Sequence, residues 1–169
     1  MFPHPSLETK FAPITVSENS SNGTIEGYAA IFGEPDRGGD VIAPGAFTNS
    51  FAARATSVKL LWQHDPAQPI GIWDNITQDA RGLRVEGRLL TDIQRGAEAA
   101  ALLTAGALDG LSIGYRAIKS DRRGSYRYLT EIDLWEISLV TFPMNAKARL
   151  QPRNDELAEA LSAAARAFQ

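Results

Sequence analysis

Three residues of this 169-residue chain have the types and surroundings that acyl-transfer chemistry needs: Ser112, His64 and Glu136. A serine hydroxyl is a poor nucleophile unless a neutral imidazole accepts its proton. A carboxylate beyond the imidazole fixes the tautomer of the ring and stabilises the cation that forms. Sequence spacing cannot prove such a set, because only the fold can bring its members together.

Of the three side chains, that of Glu136 would cost the most free energy to bury, and its surroundings, IDLWEISLVTF, are otherwise mostly apolar. A strand of this composition should be buried on much of both faces. A buried carboxylate without a partner is strongly destabilising or becomes protonated. We therefore expect a histidine or arginine beside Glu136. The alternative is an edge strand on which Glu136 faces water. Asp133, on the opposite face of the strand, must likewise either have a partner or face water.

Ser112 lies in the segment LSIGY, where strand alternation places it on one face together with Gly114. Because glycine has no side chain, another chain segment could approach the serine hydroxyl closely. The alternative is a pair of small residues under a crowded packing contact. The segment differs from the GxSxG elbow of α/β-hydrolases, which argues against that fold.

His64 ends the segment VKLLWQH, where alternation places it on one face with Leu60 and Trp62. The following Asp65-Pro66 should break the strand, so the ring would lie where a sheet meets a loop, a favoured place for functional groups. The alternative is a core histidine bonded to a backbone carbonyl. The other histidine, His4, lies in a Pro-rich segment and is interpreted as a solvated bystander.

Strand patterns separated by Gly and Asp turns dominate the segments that must position these side chains. Strands are predicted at 24–32, 57–64, 69–77, 82–90, 111–120 and 126–142, the third and fourth forming a hairpin. Helices are predicted at 46–53 and 94–104. About six or seven strands and few helices predict a mainly β fold, a closed barrel with helices packed outside. Regular alternation of helices and strands, as in a βαβ sheet, is absent.

The two ends of the chain differ from its middle in composition. Residues 1–22 are rich in Pro, Ser and Asn, and this composition predicts an extended, loosely ordered N-terminal arm. Residues 151–169 predict a short amphipathic C-terminal helix. The remaining residues, 23–150, are predicted to form one domain.

The composition argues against several classes of function. A net charge of −3 lacks the excess positive charge that is typical of nucleic-acid-binding proteins. The absence of cysteine excludes thiolate catalysis and disulfides, and two histidines, one of them in the arm, make a metallohydrolase a poor third option. No apolar run approaches the length of about 20 residues that a membrane helix needs. We expect neither a metal nor another cofactor.

Seven segments in order resemble one known family across about residues 24–150. They are GYAAIFG, GDVIAPGAF, LLWQHD, PIG, GLRVEGRL, LLTAGALDGLSIGY and LWEISLVTFPMNAKA. The chain resembles the prohead proteases of tailed phages, of the HK97 type, which gene transfer agents also carry. The resemblance implies a fold similar to the herpesvirus assemblin proteases, a β-barrel with surrounding helices.

The resemblance also implies site residues. The nucleophile would be Ser112 and the base His64. Assemblin-like proteases use a second histidine, which this sequence lacks outside the arm, so Glu136 in the matching EISLVT strand is expected as the third member. Asp133 and Asp65 are weaker alternatives. Oxyanion donors could come from the backbone of the turn at 142–146, which could equally be a simple strand-ending turn.

The implied activity is that of a serine endopeptidase. Its substrate would be the scaffolding segment of the major capsid protein, and itself, inside the immature capsid in the host cytoplasm. A homo-oligomer is compatible with this activity. The alternative is a non-enzymatic capsid-assembly or scaffolding barrel that keeps the fold. This alternative stays open because none of the motifs identifies an enzyme without the family resemblance.

Overall fold

The computed structural model describes residues 8–15, 23–54, 57–108 and 110–142 of the chain, with 8–15 as backbone only. Eight strands and two helices lie in these residues. The strands are β1 (Glu8–Thr15), β2 (Thr24–Ile31), β3 (Asp40–Ile42), β4 (Lys59–Trp62), β5 (Asp65–Gln78), β6 (Gly82–Leu89), β7 (Gly110–Arg123) and β8 (Tyr126–Val140). The helices are α1 (Thr48–Arg54) and α2 (Gln94–Thr104). Within these ranges, no helix is both long and apolar enough to cross a bilayer.

All eight strands join one sheet, in the order β3-β8-β4-β5-β6-β2-β1-β7, and β8 also pairs with β7. The long β8 organises this sheet, because it runs antiparallel to β7 and parallel to both β3 and β4. The predicted hairpin forms as β5 and β6, and the two predicted helices form as α1 and α2. The prediction of a mainly β fold with few helices is therefore confirmed.

The predicted closed barrel is wrong, because the sheet is a curled half-barrel. The pairings do lead from β7 through β1 to β2, but among the described residues the register of β1 with β2 comprises two pairs, Ile14↔Gly27 and Thr15↔Glu26. A closed barrel needs continuous hydrogen bonding between all neighbouring strands. In the described residues this pairing is shorter than the six pairs of β1 with β7, and the sheet is curled, not closed.

The N-terminal segment also differs from its prediction. Residues 8–15, expected to be a loosely ordered part of the arm, form β1, which pairs along six residues with β7. Backbone hydrogen bonding to an existing strand outweighs the turn-rich composition there. The predicted C-terminal helix at 151–169 lies outside the described residues.

The hydrophobic core lies against one face of the sheet. Apolar and polar residues therefore alternate along β7 and β8. The cross-strand pairs Leu111↔Leu139 and Ile113↔Ile137 face this core, and all four side chains are fully buried. Because neighbouring residues of a strand point to opposite faces, the residues between them must face the other way. That second face carries the polar residues from which the site is built.

Candidate active site

A tight turn between β4 and β5 carries His64. Trp62 pairs directly with Asp65, so Gln63 and His64 are the two central residues of a hairpin turn. Both have positive φ, 50° and 63° respectively, as in the type I′ turns that usually contain Asn and Gly. Such a backbone costs about 1–3 kcal/mol for each non-glycine residue. The surrounding structure must therefore hold this turn in place.

Three hydrogen bonds to β8 and the residue after it hold the turn. The backbone N–H of Gln63 donates to the carbonyl of Leu139 over 2.9 Å, and its side-chain Nε2 donates to Thr141 Oγ1 over 2.7 Å. The backbone N–H of His64 donates to Ser138 Oγ over 3.2 Å. The direction of the imidazole is thus set by the turn, and the expectation that strand alternation with Leu60 and Trp62 would set it is wrong.

The structure brings His64 and Glu136 together. His64 Nδ1 lies 2.6 Å from Glu136 Oε1, a short distance of the kind found for charge-assisted hydrogen bonds. The side chain of Glu136 is only 6% exposed and that of His64 is 24% exposed. Glu136 is therefore a buried carboxylate with a histidine partner, as its apolar surroundings predicted. The alternative of an edge strand facing water is wrong.

Gly114 makes room for this carboxylate. It lies opposite Glu136 in the register of β7 with β8, and a Cβ at position 114 would be 2.1 Å from Glu136 Oε1. Any side chain here would displace the carboxylate from His64. The sequence predicted that the missing side chain would let another chain segment approach the Ser112 hydroxyl, and the group that lies against Gly114 is instead the side chain of Glu136.

Ser138 is a member of the site that was not predicted from the sequence. It is fully buried, and its Oγ donates to Glu136 Oε2 over 2.5 Å while accepting the backbone N–H of His64. The signal that could have found it is its spacing, since residues two apart on a strand share a face. A hydroxyl on the same face as a buried carboxylate is a natural donor to it.

Ser112 lies directly opposite Ser138 in the register of β7 with β8. It shares the polar face with Gly114, Ser138 and Glu136 and is fully buried. Its Oγ has no hydrogen-bond partner among the described residues. Buried hydroxyls are nearly always bonded, so an exception of this kind calls for an explanation such as a catalytic role. His64, Glu136 and Ser112 thus lie around one patch of the hairpin β7–β8.

The two weaker acid candidates are engaged by groups other than His64. The carboxylate of Asp65 accepts hydrogen bonds from the N–H of Ala67 and from Gln68 Nε2, at 2.9 and 2.8 Å. Asp133 accepts from Trp135 Nε1 over 3.0 Å and pairs with Arg116 over 3.4 Å.

The remaining sequence candidates fall beyond the part of the chain that the structure describes. His4 and residues 143–146 of the candidate oxyanion turn lie outside that part. No group of three or more His, Asp or Glu side chains suited to a metal ion occurs within it.

Comparison with known proteins agrees with this architecture. Residues 12–162 match the sequence profile of the family described as caudovirus prohead serine protease. The prohead protease of Enterobacteria phage HK97 is 34% identical over 139 residues, which are 80% of this chain and 62% of that protein. The chain thus spans less than two thirds of the length of that relative.

A solved structure supports the fold separately. The bacteriophage T4 capsid assembly protease matches with a TM-score of 0.66 at 16% identity, covering 83% of this chain and 100% of that chain. At such low identity the similarity concerns the fold alone. The family profile, in contrast, matches most of the sequence. The chain therefore belongs to the caudovirus prohead serine protease family.

Proposed function

We propose that this chain is a serine endopeptidase that works through an acyl-enzyme. Ser112 Oγ attacks the scissile carbonyl, His64 accepts its proton at Nε2 and returns it to the leaving amine, and Glu136 orients the imidazole through Nδ1. Water then releases the acyl group with His64 acting as base a second time. The contact of 2.6 Å between His64 and Glu136, beside a buried serine on the adjoining strand, is the observation that carries this proposal.

The choice of Ser112 over Ser138 follows from their hydrogen bonds. Ser138 already donates its one hydroxyl proton to Glu136 Oε2. Because Nδ1 of His64 faces Glu136, the proton of the nucleophile must go to Nε2, and Ser138 lies on the carboxylate side of the ring. Ser112 Oγ has no competing partner among the described residues. Catalytic serine–histidine bonds often tighten only when substrate is bound, so the lack of such a bond at Ser112 suits the resting enzyme.

The proposed substrate follows from the names of the similar proteins. The HK97 relative is called a prohead protease and the T4 structure a capsid assembly protease. We infer that this chain cleaves the scaffolding segment of the major capsid protein, and itself, inside the immature capsid in the host cytoplasm. The capsid protein would then be its main partner.

The deciding experiment replaces Ser112. The chain is co-expressed with its capsid protein, and the termini of the capsid protein are read by mass spectrometry. We expect Ser112→Ala to abolish trimming, and Glu136→Gln to slow it by about 10²–10⁴-fold because the imidazole loses its orienting charge. Ser125→Ala, which removes an exposed hydroxyl at the tip of the β7–β8 hairpin, is the control and should trim normally. Normal trimming by Ser112→Ala would instead favour a non-enzymatic assembly role.

A further inference from the structure

Ser138 is a fully buried polar residue for which the proposed mechanism has no use. Its Oγ has one proton and two lone pairs, and two of these three positions are used within the site. The proton goes to Glu136 Oε2 and one lone pair receives the backbone N–H of His64. The hydroxyl therefore connects the acid to the backbone of the base.

The first consequence concerns the plane of the carboxylate. Glu136 Oε1 faces the imidazole at 2.6 Å, and Oε2 is held by Ser138 at 2.5 Å. A carboxylate bonded at one oxygen can rotate about its terminal torsion, which is broad in energy. Bonds at both oxygens fix the plane, so that Oε1 stays directed at Nδ1 while the ring becomes a cation.

The second consequence concerns the strained backbone of His64. Its φ of 63° is a conformation that persists only where neighbours enforce it. Ser138 accepts the N–H of this same residue, so the ring and the backbone of His64 are both attached to β8 within two residues. Glu136, Ser138 and His64 form a closed ring of three hydrogen bonds.

We propose that Ser138 is a positioning residue of the protease, which acts on His64 and Glu136 without touching substrate. This inference rests on the proposed function. Loss of the hydroxyl frees Oε2, lets the carboxylate rotate and removes an acceptor from the strained turn. Small misplacements of a catalytic group can slow a reaction by about 10²-fold.

The test compares Ser138→Ala with Ser50→Ala in the full chain. Ser50 is a matched control because it is also a buried serine whose Oγ accepts a backbone N–H from β8, that of Leu134 over 2.8 Å, with no carboxylate involved. Cleavage of a capsid-protein segment gives kcat and KM. We expect Ser138→Ala to lower kcat by about 10–100-fold with KM within a factor of about two, and Ser50→Ala to leave both unchanged in the folded protein.

A spectroscopic readout is independent of activity. In a Ser112→Ala background, which prevents self-cleavage, the Nδ1 proton of His64 bonded to Glu136 should give a strongly downfield NMR resonance. We expect this resonance to shift or broaden on adding Ser138→Ala and to stay in place on adding Ser50→Ala. If Ser138→Ala does not fold, Ser138→Cys, which keeps the shape with a weak donor, is measured in the same way.

The outcomes separate the two proposals. A folded Ser138→Ala protein with normal kcat and an unchanged His64 resonance overturns the positioning role and leaves the protease proposal standing. Equal losses in Ser138→Ala and Ser50→Ala also overturn it, since they would reflect stability alone. If Ser112→Ala remains active, the protease proposal fails, whatever the resonance of His64 does.

Discussion

The carboxylate of Glu136 is the group on which the site depends. One oxygen meets the imidazole, the other meets the Ser138 hydroxyl, and the whole group packs onto the backbone of Gly114. A buried carboxylate is tolerated only when it is hydrogen-bonded, and the bonds to His64 and Ser138 meet that requirement. The packing onto Gly114 leaves no space for a larger residue at that position.

Replacing Gly114 with alanine should therefore damage catalysis more than folding. The added Cβ would be 2.1 Å from Glu136 Oε1, and the flexible carboxylate can yield by turning away from His64. We expect kcat of Gly114→Ala to fall by about 10²-fold.

Gly82→Ala is the control, because its Cβ would meet the Ala30 carbonyl oxygen at 2.0 Å, remote from the site. That variant should lose thermal stability while its folded fraction keeps normal kcat. A Gly114→Ala enzyme with normal kcat would contradict this account.

The hairpin turn between β4 and β5 and the parallel pairing of β4 with β8 decide where His64 lies. Leu61 lies opposite Ser138 and Trp62 opposite Leu139 in that pairing, so the chain leaves β4 just beside the polar patch. The helix α2 packs nearby, and Arg95 at its start lies 5.5 Å above the ring of Trp62 and donates to Gln68. The docking of α2 thus supports both strands that flank the turn.

Gly96 allows α2 to dock at this distance. A Cβ at this position would lie 2.0 Å from the carbonyl oxygen of Leu90. Alanine is the better helix former by about 1 kcal/mol. We nevertheless expect Gly96→Ala to destabilise the protein by about 1–3 kcal/mol, because a clash with backbone cannot be relieved by a rotamer change. Urea unfolding measures this. Leu102→Ala, at a position of the same helix that is 38% exposed, should change the free energy of unfolding less. Stabilisation by Gly96→Ala would refute the tight docking.

Two carboxylates connect parts of the fold that are distant in sequence. The Tyr28 hydroxyl donates to Asp79 in the β5–β6 turn and holds the pKa of that carboxyl below its usual range. The N–H groups of Gly82 and Arg81 add to this effect. Lys119 and then Asn49 lower the pKa of Glu131, which connects β8 with β7 and α1.

These lowered pKa values predict how stability depends on pH. A carboxyl with a lowered folded pKa stabilises the fold above its unfolded pKa of about 4, and this contribution is lost as the pH falls through the folded pKa. We expect Asp79→Asn to lower the free energy of unfolding at pH 7 and to have a smaller effect at pH 3. Urea unfolding at both values measures the difference. Asp92→Asn, at an exposed carboxylate before α2, is the control for the loss of a surface charge. An equal effect of Asp79→Asn at both pH values would contradict the prediction.

Local properties of the sequence determined much of this protein. The alternation of apolar residues placed the β5–β6 hairpin and the two helices, since hydrophobic period is a local signal. The cost of burying Glu136 in an apolar strand was enough, by itself, to require a partner for its carboxylate. The ordered segments from GYAAIFG to LWEISLVTF pointed to the family that the profile match supports.

Tertiary structure alone decided which groups meet. The sequence could not choose His64 as the partner of Glu136 from its own spacing, because 72 residues separate them and only the parallel register of β4 with β8 brings them together. The left-handed turn at His64 and the contacts of Ser138 likewise depend on strand pairing. Pairing between distant strands is a property of the folded sheet, whereas burial cost and periodicity belong to each segment by itself.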